Sequence, residues 1–147
     1  MTHPSDRYRL APVRDTRIRD ERARRSDLAV AVGDADATRF LLAAIARRVD
    51  EAKARLVDAI VGRNALHATG ASRLLLAERY VERRRHELEA VVAELDRATR
   101  THDDKLEVVD GARGRLSAAR AEREVIERHF ARWREDRKRL AERRSDD

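Results

Sequence analysis

The residues best suited to metal binding or acid–base chemistry are the five histidines, and their spacing favours neither. No two histidines lie four residues apart, and none follows a glutamate by three residues, so the helical ligand pairs common in metal sites are missing from the sequence. His102-Asp103-Asp104 brings three ligand-type side chains together, but a hydrolytic metal site also needs ligands from other elements and a cavity that excludes water. We therefore predict no metal, no cofactor and no catalytic residue, and we expect a protein that is not an enzyme.

A seven-residue repeat over residues 74–140 is the strongest pattern in the sequence. A repeat kept over many turns is typical of a helix that wraps left-handedly around a partner, because the apolar stripe would otherwise drift around the helix. This downstream stripe consists of Leu74, Ala77, Val81, Arg84, Leu88, Val91, Leu95, Ala98, His102, Lys105, Val109, Ala112, Leu116, Ala119, Arg123, Ile126, Phe130, Trp133, Arg137 and Leu140. Polar residues inside such a stripe are expected to fix the register of a helix pair at some cost in stability, and here they include Arg84, His102, Lys105 and Arg123.

A shorter upstream stripe with the same spacing covers residues 28–59. Between the two stripes, residues 62–72 contain two glycines together with Asn64, Thr69 and Ser72, residue types that end helices, form turns and cap the next helix. Folding the chain back at this point is the simplest way to bury both stripes. The upstream stripe consists of Leu28, Ala31, Ala35, Thr38, Leu42, Ile45, Val49, Ala52, Leu56 and Ala59.

The sequence therefore predicts an all-α fold, a long antiparallel two-helix coiled-coil hairpin that forms a single unit over residues 1–147. Helix one is expected at about 8–61, the turn at 62–72 and helix two at about 72–143. The composition agrees, because 42% charged and 3% aromatic residues leave too little bulky apolar material for a conventional globular core. The periodic apolar residues distinguish the chain from a charged disordered one.

Several features of the sequence indicate a cytoplasmic protein. It has no run of about 18 apolar residues that could span a membrane. Its first residues, Met1 to Arg7, lack the apolar core of a signal peptide, and the absence of cysteine fits a reducing compartment. We expect cytoplasmic localisation and no membrane insertion.

A formal net charge of +6, mostly from arginine, raises nucleic acid as a partner. Acids and arginines alternate at helical spacing, however, as Glu51 and Arg55 do, and this is typical of solvated helix faces. The basic segment at residues 14–25 itself contains three acids, whereas basic regions that enter a DNA groove usually carry few. We expect no nucleic-acid partner.

The lengths of the two helices predict an exposed end. If the turn centres near residue 67, helix one finds partners along helix two no further than about Phe130, and the rest of helix two projects beyond it. Apolar anchors with a rim of arginines commonly mark a binding surface. Two alternatives stay open: the N-terminal segment with Leu10 and Val13 folds over the anchors, or the stripe closes a homodimer. We define the expected terminal surface as Phe130, Trp133, Arg134, Arg137 and Leu140 together with Arg14 and Arg17.

A second contact is expected near the turn. Leu75 and Leu76 follow Leu74 directly, so the apolar stripe is wider there than one partner helix requires. We define the expected tip contact as Leu66, Leu74, Leu75 and Leu76. The alternative is that these are ordinary exposed leucines, which are common on protein surfaces.

Three segments carry a resemblance to a known family. They are the arginine-rich start from Tyr8 to Arg22, the sequence Leu-Leu-Leu-Ala-Glu-Arg-Tyr at 74–80 after the mid-chain break, and the charged segment from Glu122 to Arg128. In layout and composition the chain resembles the central stalk proteins of type III secretion systems, which include FliJ of the flagellar export apparatus and YscO of the injectisome.

The resemblance implies a hairpin without catalytic residues, similar to the stalk subunit of rotary ATP synthases. In this family the end that carries both termini enters the pore of a hexameric export ATPase, promotes its assembly and activity, and couples it to export. The other end reaches toward the membrane export gate, and some members also bind export chaperones. By this resemblance, residues 128–144 and 14–25 would face the ATPase and residues 62–76 the gate, in the cytoplasm at the base of a secretion apparatus. A generic coiled-coil scaffold or dimerisation protein is the main alternative, and a basic nucleic-acid-binding coiled coil is a further one.

Overall fold

The computed structural model describes residues 7–66 and 70–146, the last of these by its backbone only. In these ranges the chain forms two α-helices and no strand: α1 spans Ala11–Asn64 and α2 spans Ala71–Asp146. The fold is an all-α helical hairpin, which confirms the predicted fold class, while the coiled-coil supercoil stays a prediction. His67 and Thr69 of the expected turn lie outside the described residues, as does His3.

The start of α1 suits its sequence. Pro12 lies in the first turn, where backbone N–H groups have no partner within the helix, so its missing N–H costs nothing. The Ala11 N–H donates to the Tyr8 carbonyl at 3.1 Å, and the Arg14 N–H donates to the Leu10 carbonyl at 2.9 Å. The residues before Ala11 therefore lead into α1 through backbone hydrogen bonds without belonging to it.

The link between the helices is shorter than the sequence suggested. α1 continues through Gly62 to Asn64, because Gly62 keeps the helical conformation and no described glycine has a positive φ. α2 begins at Ala71, and the Gly70 carbonyl accepts two backbone N–H hydrogen bonds from its first turn, at 3.0 and 3.4 Å. Ser72, which the sequence suggested as a cap, lies inside α2 instead.

Contacts divide the described residues into two units, each built from a segment of both helices. Unit 1 combines residues 7–32 with 108–146, and unit 2 comprises residues 33–107. Every buried apolar residue described in either unit, except Tyr8, lies on one of the two predicted stripes. The heptad stripes therefore contain the buried apolar residues, although Leu74 and Leu140, at the two ends of the downstream stripe, are exposed.

Unit 1 pairs its two helical segments in an antiparallel direction. Arg14 of α1 lies 2.9 Å from Glu127 of α2, and Arg17, further along α1, pairs with Glu122, earlier in α2. Alanines make up three of the seven buried apolar residues. The buried apolar residues of unit 1 are Tyr8, Ala31, Val109, Ala112, Leu116, Ala119 and Ile126.

Unit 2 is antiparallel as well. Arg48 lies 2.9 Å from Glu94, and Thr38, earlier in α1, lies 2.8 Å from His102, later in α2. The core again combines alanines with branched side chains. The buried apolar residues of unit 2 are Ala35, Ile45, Val49, Ala52, Ala59 and Val81.

The helix register in unit 2 differs from the one assumed from the sequence. A turn centred at residue 67 would put Asp96 opposite Thr38, whereas His102 lies there. The difference arises because the link joins two helix ends that are not level with each other. Extrapolated along unit 2, the Thr38–His102 register places Asn64, the last residue of α1, opposite Leu76. The first turn of α2 thus extends past the end of α1.

Leu116→Ala should test the burial pattern. Leu116 is buried in unit 1, so its truncation should lower the free energy of unfolding by about 2–5 kcal/mol through lost burial and a residual cavity. Val125→Ala, at an exposed residue of the same helix, should change it by about 0.5 kcal/mol or less. Urea unfolding followed by circular dichroism measures both values, and similar losses in the two variants would contradict the pattern.

Candidate partner-binding surfaces

An aromatic cluster in unit 1 lies where the sequence placed the anchors of the terminal surface. Tyr8, in the segment before α1, is 8% exposed, and its ring centroid lies 4.9 Å from that of Phe130 and 5.3 Å from that of Trp133. Phe130 and Trp133 stack on each other at 5.8 Å, and the Tyr8 hydroxyl lies 2.9 Å from Nδ1 of His129. The two anchors are therefore half-buried, with Tyr8 packed against both.

The covering residue is one that sequence analysis missed. The alternative left open above, in which the N-terminal segment folds over the anchors, agrees with the packing of Tyr8, whereas Leu10 and Val13, the residues named with it, are exposed. Tyr8 lies outside both stripes, in a chain with only 3% aromatic residues, and that rarity was the available signal. Burial of Tyr8 against the two anchors thus forms the inner side of the terminal surface.

The two α1 arginines of the terminal surface contact α2 within unit 1. Arg14 Nε donates to Glu127 at 2.9 Å, and its guanidinium carbon lies 4.6 Å from the centre of the Phe130 ring. Arg17 donates to Glu122. Both arginines were predicted to bind a partner. That role stays a prediction, and the structure shows a carboxylate of α2 beside each of them.

Glu21 is a buried carboxylate between the two helices of unit 1, with 5% of its surface exposed. It accepts hydrogen bonds from Arg123 at 2.8 Å and from Arg25 at 2.9 Å, and Arg120 lies 3.8 Å away. The hydrogen bond from Arg123 is the main reason why the pKa of Glu21 lies below its ordinary value of 4.5, although burial acts in the opposite direction. The same hydrogen bond raises the pKa of Arg123. A carboxylate held ionised in this way serves structure rather than proton transfer.

Of this ionic cluster, the sequence predicted the role of Arg123 but not the burial of Glu21. Arg123 was expected to fix the helix register, and it lies against α1 as such a residue would. By the alternation of acids and arginines at helical spacing, Glu21 with Arg25 four residues later would lie on a solvated face, but Glu21 is buried. The missed signal is that Glu21 lies seven residues before Leu28 and so continues the upstream stripe.

Three further polar stripe residues pair across unit 2. The Thr38 hydroxyl lies 2.9 Å from the Ala35 carbonyl, to which it donates, and forms a 2.8 Å hydrogen bond with Nδ1 of His102. Lys105 lies 4.0 Å from Asp34. His102 therefore bonds to α1, and within residues 7–66 and 70–146 no group of three His, Cys, Asp or Glu residues could hold a metal ion.

The remainder of the terminal surface follows Trp133 on α2. The Arg134 guanidinium carbon lies 5.9 Å from the centre of the Phe130 ring, Arg137 is half-buried, and Leu140 is exposed. Residues 128–144 contain eight arginines and lysines against three acids. The accessible part of the terminal surface therefore consists of Leu140 and the half-buried Trp133, within a strongly basic segment.

The tip contact lies in unit 2. Leu74, Leu75 and Leu76 are exposed in the first turns of α2, and Leu66 in the link is half-buried. Val61, one turn before the end of α1, is exposed as well. The structure thus leaves the three consecutive leucines accessible to a partner.

Comparison with known proteins gives no relative. No protein-family model matches the chain, and no curated protein or solved structure matches it significantly. Among the described residues, neither helix has a stretch apolar enough to cross a bilayer. Function is therefore inferred from residue layout and geometry.

Acid should weaken unit 1 through Glu21. Because folding lowers the pKa of Glu21, its contribution to stability is fully present above about pH 4.5 and is lost as the pH falls through the folded pKa. Glu21→Gln lacks this contribution, so its free energy of unfolding should be lower at neutral pH and should fall less steeply below pH 4.5. Urea unfolding at a series of pH values measures the slopes. Glu107→Gln, at an exposed residue, should keep the wild-type slope, and a wild-type slope in Glu21→Gln would refute this role.

Tyr8→Ala should uncover Trp133, which is the only tryptophan and therefore a specific fluorescent probe. Loss of the Tyr8 ring should shift the emission to longer wavelengths and lower stability through lost burial and through lost aromatic contacts, which contribute about 0.5–1.5 kcal/mol beyond burial. Tyr8→Phe keeps the ring contacts and loses only the hydrogen bond to His129, so its emission should stay near that of the wild type. An unchanged spectrum in Tyr8→Ala would show that Tyr8 does not cover Trp133 in solution.

Proposed function

We propose that the protein is a non-enzymatic stalk and coupling factor of a type III secretion apparatus, flagellar or injectisome. In this proposal it acts in the cytoplasm at the base of the apparatus and binds the hexameric export ATPase through the terminal surface. The tip contact reaches toward the export gate, and export chaperones are further candidate partners. Support comes from the resemblance in residue layout and from the helical hairpin.

The observation that carries the proposal is the contact of Tyr8 with Phe130 and Trp133. It brings the N-terminal segment against the C-terminal part of α2, so the start and the end of the described chain share one end of unit 1. A stalk of this class inserts the end with both termini into its ATPase. The basic excess at residues 128–144 lies in the same unit.

A coupling element needs no chemistry of its own, but it must resist sliding of one helix along the other. Unit 1 meets this need with the Glu21–Arg123 pair, and unit 2 with the Thr38–His102 hydrogen bond. A slip of either pair would bury polar groups without partners, which is costly. ATP hydrolysis would remain entirely with the partner.

A dimerisation scaffold is the second candidate function. Phe40 and Leu41 lie off the upstream stripe and are 68% and 57% exposed in unit 2, so a second helix would find an apolar site there. Sedimentation velocity, which detects a homodimer, and co-purification with the export ATPase together distinguish the two candidate functions. A stable homodimer that ignores the export ATPase supports the scaffold, and a protein that co-purifies with the ATPase supports the stalk.

Leu140→Ala should weaken binding to the export ATPase without unfolding the protein. Leu140 is exposed, so its loss should change stability by about 0.5 kcal/mol or less. Truncation of an anchor at an interface typically costs about 2 kcal/mol, which is more than tenfold in affinity. Titration of the purified ATPase with labelled protein measures the affinity. Val125→Ala, at another exposed apolar residue of α2 in unit 1, is the control and should bind like the wild type.

Arg134→Glu should act on a different step. Rim charges steer encounter more than they hold a complex, so this variant should associate more slowly and lose part of the salt dependence of association. Stopped-flow association at increasing salt measures both. Wild-type association in Arg134→Glu, together with wild-type affinity in Leu140→Ala, would exclude the terminal surface as the ATPase-binding site.

A further inference from the structure

The link end of unit 2 exposes apolar side chains from both helices. In α2, Leu74, Leu75 and Leu76 are 41%, 51% and 64% exposed. In α1, Val57 and Val61 are exposed as well. In the Thr38–His102 register, residues 71–75 of α2 have no residue of α1 across from them, and Leu76 lies opposite Asn64, the last residue of α1.

The spacing of the three leucines indicates what kind of surface they meet. Successive residues of an α-helix point about 100° apart, so three in a row cover more than half of its circumference. A partner helix would contact residues three and four apart on one face. Three consecutive leucines present an apolar surface wider than one partner helix covers, and exposed apolar side chains of this kind enter the interfacial region of a lipid bilayer.

The charges around these leucines point to a surface of negative charge. Between Asp58 and Glu78 the sequence has no acidic residue, and this is the longest such interval in the chain. Arg63 and Arg73 are the charged residues within it at neutral pH. Other acid-free intervals are shorter, such as residues 111–121 with three arginines. Exposed apolar groups flanked by arginines without carboxylates are the combination that binds anionic lipid headgroups.

We propose that this lipid-binding tip, made of Val61, Arg63, Arg73 and Leu74 to Leu76, binds peripherally to the surface of an anionic lipid bilayer. The leucines enter the interfacial region and the arginines bind lipid phosphates. The contact does not cross the bilayer, in agreement with the lack of a spanning helix among the described residues. This proposal is independent of the proposed stalk function, because it is tested with vesicles that contain no other protein. Either proposal can therefore be wrong while the other holds.

Co-sedimentation with vesicles tests the proposal. The full-length protein should sediment with vesicles of equal parts phosphatidylglycerol and phosphatidylcholine, and much less with phosphatidylcholine alone. The double variant Leu75→Ser, Leu76→Ser should lose at least about tenfold in apparent affinity. The matched control is Phe40→Ser, Leu41→Ser, a similarly exposed apolar pair of unit 2, and it should bind like the wild type. Circular dichroism checks that both variants keep their helices.

A second part of the experiment removes the charges of the two arginines and leaves the leucines in place. The double variant Arg63→Gln, Arg73→Gln should bind the anionic vesicles no better than the neutral ones. The proposal is overturned if the wild type stays in the supernatant, if both apolar double variants lose binding alike, or if the leucine variant binds like the wild type. It is also overturned if the wild type is a dimer without vesicles and the leucine variant a monomer, because the leucines then belong to a protein interface.

Discussion

The mutual burial of the two apolar stripes is the constraint on which the rest of the structure depends. With 42% charged residues, neither helix has a wide apolar face, and an isolated helix of this type gains little from burial. The core positions are mostly alanine, valine and isoleucine, each of which buries little area. Stability therefore comes from many small contacts repeated along helices of 54 and 76 residues. Loss of the pairing would remove the reason for either helix to persist in water.

Stripes of small residues tolerate sliding, so the polar residues within them decide the register. A shift by one heptad would still place apolar residues against apolar ones, but it would separate Glu21 from Arg123 and Thr38 from His102. The buried carboxylate of Glu21 would then lack its principal partner, which costs more than the shift of an alanine contact. The register in turn brings Tyr8 to Trp133 in unit 1 and carries the first turn of α2 past Asn64 in unit 2.

The two candidate surfaces have the same physical basis, which is the placement of a few exposed side chains. The described residues offer no cluster that could hold a metal ion, and Glu21, the buried carboxylate, is bound by arginines. The fold holds exposed side chains in defined places. In unit 1 it presents Leu140 and Arg134 beyond a cluster held by Tyr8, and in unit 2 it presents three leucines beside arginines without nearby acids. Binding energy at such surfaces comes from a few anchors, while the surrounding charge selects the partner.

The sequence by itself determined the helices, the hairpin and most of the buried apolar residues, because each follows from a local period: Val81, Leu116 and Ile126 could be identified as core from spacing alone. It also indicated Arg123 and His102 as register residues. The heptad cannot reveal the offset between two helices, however, because every shift by seven residues looks the same in the sequence. Tertiary structure therefore decided that Tyr8 covers the aromatic anchors, that Arg14 and Arg17 face α2 carboxylates, and that Glu21 is buried. Each of these depends on which residue stands opposite across the pair, a distance of a hundred residues or more along the chain for Tyr8 and Glu21.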